Sequence, residues 1–264
     1  MLSAKNLFLT FNAGTPIETR ALRGMSLDIP AGQFVTVIGS NGAGKSTFLN
    51  AVSGDQPIDG GHIYINDVDV TNKPVHQRAS EIARVFQDPM AGTCEDLTIE
   101  ENMALAYQRG TTRGLRKAAR SELREMFREK LASLKLGLEN RLSDRIGLLS
   151  GGQRQAVSLL MASLKPSRIL LLDEHTAALD PRTAHFGLDL TQRIVEENKL
   201  TTMMVTHSMR QALDIGERTV MLHQGRVVLD VSGKERENMD VPALVAMFTK
   251  VRGEEISDDA LLLG

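Results

Sequence analysis

An apolar run, Phe34-Val35-Thr36-Val37-Ile38, leads into Gly39-Ser40-Asn41-Gly42-Ala43-Gly44-Lys45-Ser46 and then into helix-compatible Thr47-Phe48-Leu49-Asn50. This is the pattern G-x-x-x-x-G-K-[ST] set between a strand and a helix, the context in which it binds phosphate. Its glycines let backbone N–H groups converge on phosphate oxygens, and the helix start adds a field that favours anions. The reading assigns Lys45 to the β- and γ-phosphates of a nucleotide and the Ser46 hydroxyl to Mg²⁺. Gly39, Ser40, Asn41, Gly42, Ala43, Gly44 and Thr47 form the rest of the cradle. The loop is strong evidence for a nucleotide site, and by itself it does not say what hydrolysis is for.

Composition narrows what surrounds that core. The 264 residues suffice for one large or two small domains, and 42% hydrophobic residues with 24% charged describe an ordinary globular protein. A formal net charge of -2 supplies no basic field, so no nucleic-acid partner is expected. The single cysteine, Cys94, excludes an internal disulfide and a thiolate metal cluster, and it reads as a small buried residue. No run approaches the roughly 20 apolar residues of a membrane helix. The start, Met1-Leu2-Ser3-Ala4-Lys5-Asn6, lacks a signal-peptide apolar segment, so any membrane role is expected to come through a partner.

Short apolar stretches and turn signals over residues 1 to about 35 predict antiparallel β structure. Gly54 is placed to cap the first helix, and His62-Ile63-Tyr64-Ile65 and Ile82-Ala83-Arg84-Val85-Phe86 read as strands, the latter ending at Gln87. From about 90 to 165 the texture becomes helical, with Ile99 to Ala106 and Leu115 to Leu136 apolar at three- and four-residue spacing. The basic stretch Arg109 to Lys117 reads as a solvated, mobile surface loop. Ile169 to Leu172 is a continuous apolar strand, as a parallel-sheet interior requires. Helix Thr183 to Asn198, strand Thr201 to Thr206, helix Met209 to Gly216 and a hairpin from Thr219 to Asp230, turning at Gln224-Gly225, complete the order. The expected fold class is therefore α/β: a phosphate-loop core of mostly parallel sheet flanked by helices. An antiparallel β subdomain precedes it, and a helical subdomain is inserted at about 90–165. Residues 1–230 make this domain, and 231–264 form an extension with an amphipathic piece, Val241 to Phe248, and an acidic tail, Glu254 to Asp259.

Two further strings carry chemistry. Asp173-Glu174 closes the Ile169 strand at the edge where ligands bind in open α/β sheets. Asp173 is placed to hold Mg²⁺ through its water shell, and Glu174 to polarise the water that attacks the γ-phosphate. Leu149-Ser150-Gly151-Gly152-Gln153 reads as an N-cap, Ser150, with two glycines that leave N–H groups open at a helix start. A chain with two anion-binding faces suggests a nucleotide held between two subunits.

The ordered set of motifs resembles the nucleotide-binding subunit of ATP-binding-cassette (ABC) transporters from about residue 3 to 230. The phosphate loop at Gly39 to Ser46 is followed by the glutamine loop at Gln87, the signature at Leu149 to Gln153 and the strand ending in Asp173-Glu174. The aspartate loop at Ala178-Leu179-Asp180 and the switch histidine, His207, complete the series. The resemblance implies ATP and Mg²⁺ as cofactors. Gln87 would complete the Mg²⁺ and water shell, His207 would contact the γ-phosphate and orient Glu174, and Asp180 would link the two sites of a head-to-tail homodimer. Catalytic work would thus fall to Glu174, His207, Gln87 and Lys45, metal binding to Ser46, Gln87 and Asp173, and the partner's nucleotide to Ser150, Gly151, Gly152 and Gln153. The family also stacks an aromatic residue on adenine; Phe11 is the first choice because it closes a strand before a turn, and Phe8 the second.

Two departures stand out. His175 replaces the family's usual proline after the catalytic glutamate, and Ala156 stands where a second arginine is usual after the signature. The strings Asp173 to Asp180 and Gln87 to Cys94 resemble a bacterial subgroup that pairs with a substrate-binding lipoprotein and a permease related to branched-chain amino-acid and sugar uptake systems. The expected function is the ATPase of a binding-protein-dependent importer, peripheral on the cytoplasmic membrane face. The permease would dock in a groove between Gln87 and about Asn102. A soluble single-cassette ATPase of cofactor assembly is the alternative, and a kinase or GTPase would leave the signature unexplained.

Overall fold

The computed structural model describes residues 1–111, 121–177 and 179–252, which fall into two compact units. The first, residues 1–78 and 200–264, opens with β1 (Leu2–Phe11), β2 (Thr19–Ile29), β3 (Phe34–Gly39), α1 (Lys45–Ser53), β4 (Gly60–Ile65), β5 (Val68–Asp69) and α2 (Val75–Arg78). The second, residues 79–199, contains β6 (Ile82–Val85), α3 (Ile99–Tyr107), α4 (Ser121–Ala132), α5 (Gly151–Ser163), β7 (Ile169–Asp173) and α6 (Pro181–Asn198). The chain returns to the first unit with β8 (Thr201–Val205), α7 (Met209–Asp214), β9 (Arg218–His223), β10 (Arg226–Ser232), α8 (Gly233–Glu237) and α9 (Val241–Arg252).

The expected antiparallel start is present as a four-stranded sheet in the order β2-β1-β4-β5. Buried and exposed positions alternate over Leu7 to Leu9 and Met25 to Ile29, as in a sheet with one covered face, whereas β1 begins with three buried residues, Leu2, Ser3 and Ala4. Elsewhere in the first unit the strands run β10-β9-β3-β8, with β3 parallel to both β8 and β9. All six residues of β3 and all five of β8 are buried, which explains why both read as unbroken apolar or Thr-rich runs. In the second unit β6 pairs in parallel with β7, whose five residues are all buried.

Helix ends follow local chemistry. Gly54 takes the left-handed conformation, φ 86°, at the end of α1. Reciprocal capping boxes open α3, between Thr98 and Glu101, and α5, between Ser150 and Gln153. Of the helix expected from Leu115 to Leu136, residues 115–120 lie outside the described residues; α4 ends at Ala132, and Lys135 turns left-handed at φ 56°. The acidic tail also lies outside them, whereas residues 233–252 fold into α8 and α9 of the first unit.

Two expectations are corrected. Cys94 is exposed, not buried. Its turn is fixed by Asn102, which accepts from the Cys94 N–H (2.8 Å) and donates to the carbonyls of Cys94 (3.0 Å) and Thr98 (2.9 Å), so the backbone is held inward and the thiol faces out. Arg109 is not a solvated charge at the head of a loose loop. Its guanidinium donates to the carbonyls of Ala162 and Lys165 (3.3 and 3.2 Å) at the end of α5, where the last helical carbonyls lack partners within the helix. Residues 112–117 of that stretch lie outside the described residues.

Sequence reading passed over Arg78, only 3% exposed. Its guanidinium donates to the carbonyls of Ala51, Val52 and Thr71 (each 2.8 Å) and through Nε to that of Lys73 (2.8 Å). It thereby closes the end of the helix that begins with Lys45. Arg78→Ala takes a charged donor from four carbonyls, two of them, Ala51 and Val52, in buried hydrogen bonds, which is expected to cost about 3 kcal/mol of unfolding free energy. Urea denaturation of the purified variant measures it, and Arg78→Lys, unable to span the four acceptors, should recover little.

Candidate functional site

The phosphate loop lies at the carboxyl end of β3 and takes its shape from close backbone approach. Gly39 has φ 151°, and a Cβ there would collide with the Leu222 carbonyl oxygen; a Cβ on Gly44, φ 98°, would lie 2.7 Å from that of Ala21. Hydrogen bonds from Ala43 N–H to Ser40 O (3.1 Å) and from Gly225 N–H to Ala43 O (3.0 Å) hold the arch from inside and outside. Lys45 is 6% exposed, and its ammonium donates to the carbonyls of Gly39 (2.8 Å) and Ser40 (3.2 Å). The cap position of α1 is Gly44, with no side-chain cap and no acid in the first turn. The positive end of the helix thus faces the loop, and its own first turn brings no carboxylate to compete with an anion. Ser46 is exposed and Thr47 half-buried at that same helix start.

His207 reaches the same sheet edge by register. Val37 of β3 pairs with Val205 of the parallel β8, so Gly39 and His207 each stand two residues beyond the last matched pair. Thr206 N–H donates to Val37 O (3.1 Å), and the Thr206 hydroxyl donates to Gln211 Oε1 (2.8 Å) while accepting from Ser208 N–H (3.1 Å). The half-buried histidine therefore sits in a turn fastened on both sides.

The second unit repeats the arrangement. Val85 of β6 pairs with Leu172 of β7, which sets Gln87 and Glu174 two residues past the last pair of parallel strands. Asp173 and Glu174 are each 8% exposed, and Gln87 is exposed. Glu174 has φ 45°, a left-handed conformation that costs a residue with a Cβ about 1–2 kcal/mol, and such strain concentrates at functional positions. Arg84, whose guanidinium lies 4.5 Å over the Phe86 ring, donates to Asp173 Oδ2 at 3.0 Å. That pair occupies one carboxylate oxygen and ties the glutamine-loop strand to the end of β7. Nothing in the sequence pattern singled out Arg84; only the parallel register brings it beside Asp173.

Ser150 caps α5 as expected: its hydroxyl accepts from Gln153 N–H (3.3 Å), and Gln153 Oε1 accepts from Ser150 N–H (3.2 Å). Gly152 has a second reason to be glycine, because a Cβ would collide with the Thr183 side chain at the start of α6. Asp180 caps α6 ahead of Pro181, accepting from Thr183 N–H at 3.1 Å, and the Thr183 contacts hold its carboxyl below the usual range. The Asp-Pro pair carried that N-cap signal in the sequence. Ala178 lies outside the described residues.

The two phenylalanines separate. Phe8 is 43% exposed on β1, where the space a Cβ would fill on Gly24 or Gly60 is bounded by its ring, at 3.2 and 3.6 Å. It covers two glycines across neighbouring strands, a packing role. Phe11 closes β1 opposite Thr19 and is half-buried.

His175 turns away from the strand edge. It is 2% exposed, and its Nε2 lies 2.9 Å from the Thr191 hydroxyl, which donates its one proton to Gly187 O at 2.8 Å. His175 must therefore carry its hydrogen on Nε2 and serve as donor. Burial lowers its pKa to about 4. A histidine with a depressed folded pKa stabilises the fold above its unfolded value near 6.5, and loses that contribution as pH falls toward 4. His175→Gln should remove a pH-dependent loss of up to about 3 kcal/mol between pH 6.5 and 4. Thermal or urea unfolding of both proteins across that window measures it, and equal slopes would contradict the assignment.

The family model for the ABC transporter matches residues 22–177, more than half of the chain. A tyrosine transport ATP-binding protein of Clostridioides difficile is 43% identical over 248 residues, 94% of this chain and 98% of that protein. An aliphatic sulfonates import ATP-binding protein of Agrobacterium fabrum is 34% identical over 213 residues, 81% of this chain and 74% of that protein. Among solved structures, the ATP-binding cassette MJ0796, in a dimeric post-hydrolysis state bound to ADP and Pi, superposes with a TM-score of 0.75 at 31% identity over 88% of this chain and 98% of that one. By the matched family model and these relatives, the chain belongs to the ATP-hydrolysing cassettes of the ABC transporter family.

Proposed function

We propose that this chain powers a binding-protein-dependent importer of a small solute, an amino acid in the first instance, by hydrolysing ATP at two composite sites in a head-to-tail homodimer. The observation that carries the reading is an uncapped phosphate-loop helix in the same chain as a Ser-Gly-Gly helix start, two helix N-termini of the kind that favour anions. The names of the tyrosine and sulfonate relatives support a transport role with an amino acid among the candidate solutes.

Lys45 and the N–H groups from Gly39 to Thr47 bind the β- and γ-phosphates, and Phe11 stacks on adenine. Ser46, Asp173 and Gln87 offer oxygen ligands, the donor type Mg²⁺ prefers, and the ion when bound neutralises charge on the phosphates. Glu174, held beside the chemistry by its left-handed backbone, accepts a proton from the attacking water, and His207 contacts the γ-phosphate and orients Glu174. Ser150, Gly151, Gly152 and Gln153 of the second copy close over the γ-phosphate, and Asp180 links the two sites. Hydrolysis removes the contact that favours the closed dimer, so the copies part. The segment from Gln87 to Asn102 receives a short helix of the permease, which places the protein on the cytoplasmic membrane face. A substrate-binding protein delivers the solute to that permease. No helix among the described residues is long and apolar enough to cross a membrane.

Glu174→Gln tests the core of this reading. The variant should bind MgATP, double its mass in light scattering and lose about 10²- to 10³-fold in turnover. A variant that remains monomeric in MgATP and turns over at the wild-type rate would remove Glu174 from the mechanism. Recovery of an integral permease with the tagged chain from detergent-solubilised membranes tests the transport assignment; a purely soluble complex would instead indicate an assembly ATPase.

A further inference from the structure

We propose that the segment after residue 231 is the positioning element of the switch histidine, with Arg236 and Phe248 setting where His207 stands. This rests on the γ-phosphate role proposed for His207 and goes beyond it. The helix that follows His207, α7, has six residues, too few to hold itself in water. Its start is tied by the Ser208 hydroxyl, which accepts from Gln211 N–H at 3.2 Å. Its other end and its underside are held by the C-terminal segment.

Arg236, on α8, donates through Nη2 to the carbonyls of Ala212 (3.0 Å), Leu213 (2.9 Å) and Ile215 (2.7 Å), and through Nε to the Thr219 hydroxyl (3.0 Å). At the Ala212 carbonyl the guanidinium joins the Thr36 and Thr219 hydroxyls (2.9 and 2.8 Å), and it adds a donor for the Leu213 and Ile215 carbonyls, so it ties the end of α7 to β9. Beneath α7, Leu244 and Phe248 of α9 are 0% and 1% exposed and share a core cluster with Ile38, Met209, Ala212 and Met221. Ile38 precedes Gly39 of the phosphate loop, and Met209 follows His207 by two residues. The same apolar plug therefore braces the strand that carries the loop and the helix that follows the histidine. The loop keeps its own internal bonds, Lys45 to Gly39 and Ser40 and Ala43 to Ser40, whereas so short a helix as α7 depends on packing from outside. Loosening the plug should therefore misplace His207 while leaving nucleotide binding intact.

The test is a cycle on the full chain: Arg236→Ala, His207→Ala and the double variant, with ATP hydrolysis followed under single-turnover conditions so that slow rates remain measurable. Arg236→Ala should lower the rate about tenfold while the ATP concentration giving half-maximal rate changes less than about twofold, the size expected of a misplaced catalytic group. In the His207→Ala background the same change should cost nothing further. A full rate in Arg236→Ala, or losses that multiply in the double variant, would overturn the proposal. Should Arg236→Ala fail to fold, Phe248→Leu, which keeps an apolar plug of smaller volume, takes its place in the cycle. A rate loss absent from the His207→Ala background again supports the proposal, and a full or multiplying rate again overturns it. A wild-type chain that does not hydrolyse ATP, or a His207→Ala chain as fast as wild type, would instead strike the functional reading beneath it.

Discussion

Lys45 donates its ammonium protons to the carbonyls of Gly39 and Ser40, and the open N-terminus of α1 faces the same arch. This interaction between a cation, a loop and an uncapped helix end organises much of the first unit. The loop can approach so closely only because Gly39 and Gly44 sit against the carbonyls of Leu222 and Ala21, which requires β9 and β2 to be where they are. The far end of the same helix is closed by Arg78, so a single nine-residue helix is fixed at one end by the glycine arch around Lys45 and at the other by a buried guanidinium.

The second unit solves a related problem with carboxylates. Two acids at the end of β7, each largely buried, would repel one another without compensation. Arg84 bonds Asp173, and Glu174 turns left-handed, so the two side chains leave the strand by different backbone geometries. His175, where the family's usual residue is proline, is absorbed into the fold by its bond to Thr191 and contributes stability above its own titration range.

In both units the residues proposed for the site stand at the carboxyl edge of parallel strands, two residues past the last matched pair: Gly39 and His207 in one, Gln87 and Glu174 in the other. Parallel pairing fixes the relative heights of residues that lie far apart in the chain. Within each unit, loops of unrelated sequence thereby place their polar residues at one level of their strands.

Local chemistry was legible in the chain alone. The strand–loop–helix around Lys45, the capped turn at Ser150, the Gly54 cap and the Gln224-Gly225 hairpin each depend on neighbours within a few residues, and backbone preference and hydrogen bonding at that range are written directly in the sequence. Partners distant in sequence were not. Arg78 closing α1, Arg84 beside Asp173, Arg236 clamping α7 and Phe8 covering Gly24 and Gly60 are all matters of register and packing. The exposure of Cys94 and the engagement of Arg109 belong to the same class. A long, flexible guanidinium can reach many acceptors, and an isolated sequence does not say which carbonyls the fold will strand without a donor; only the assembled tertiary structure decides that.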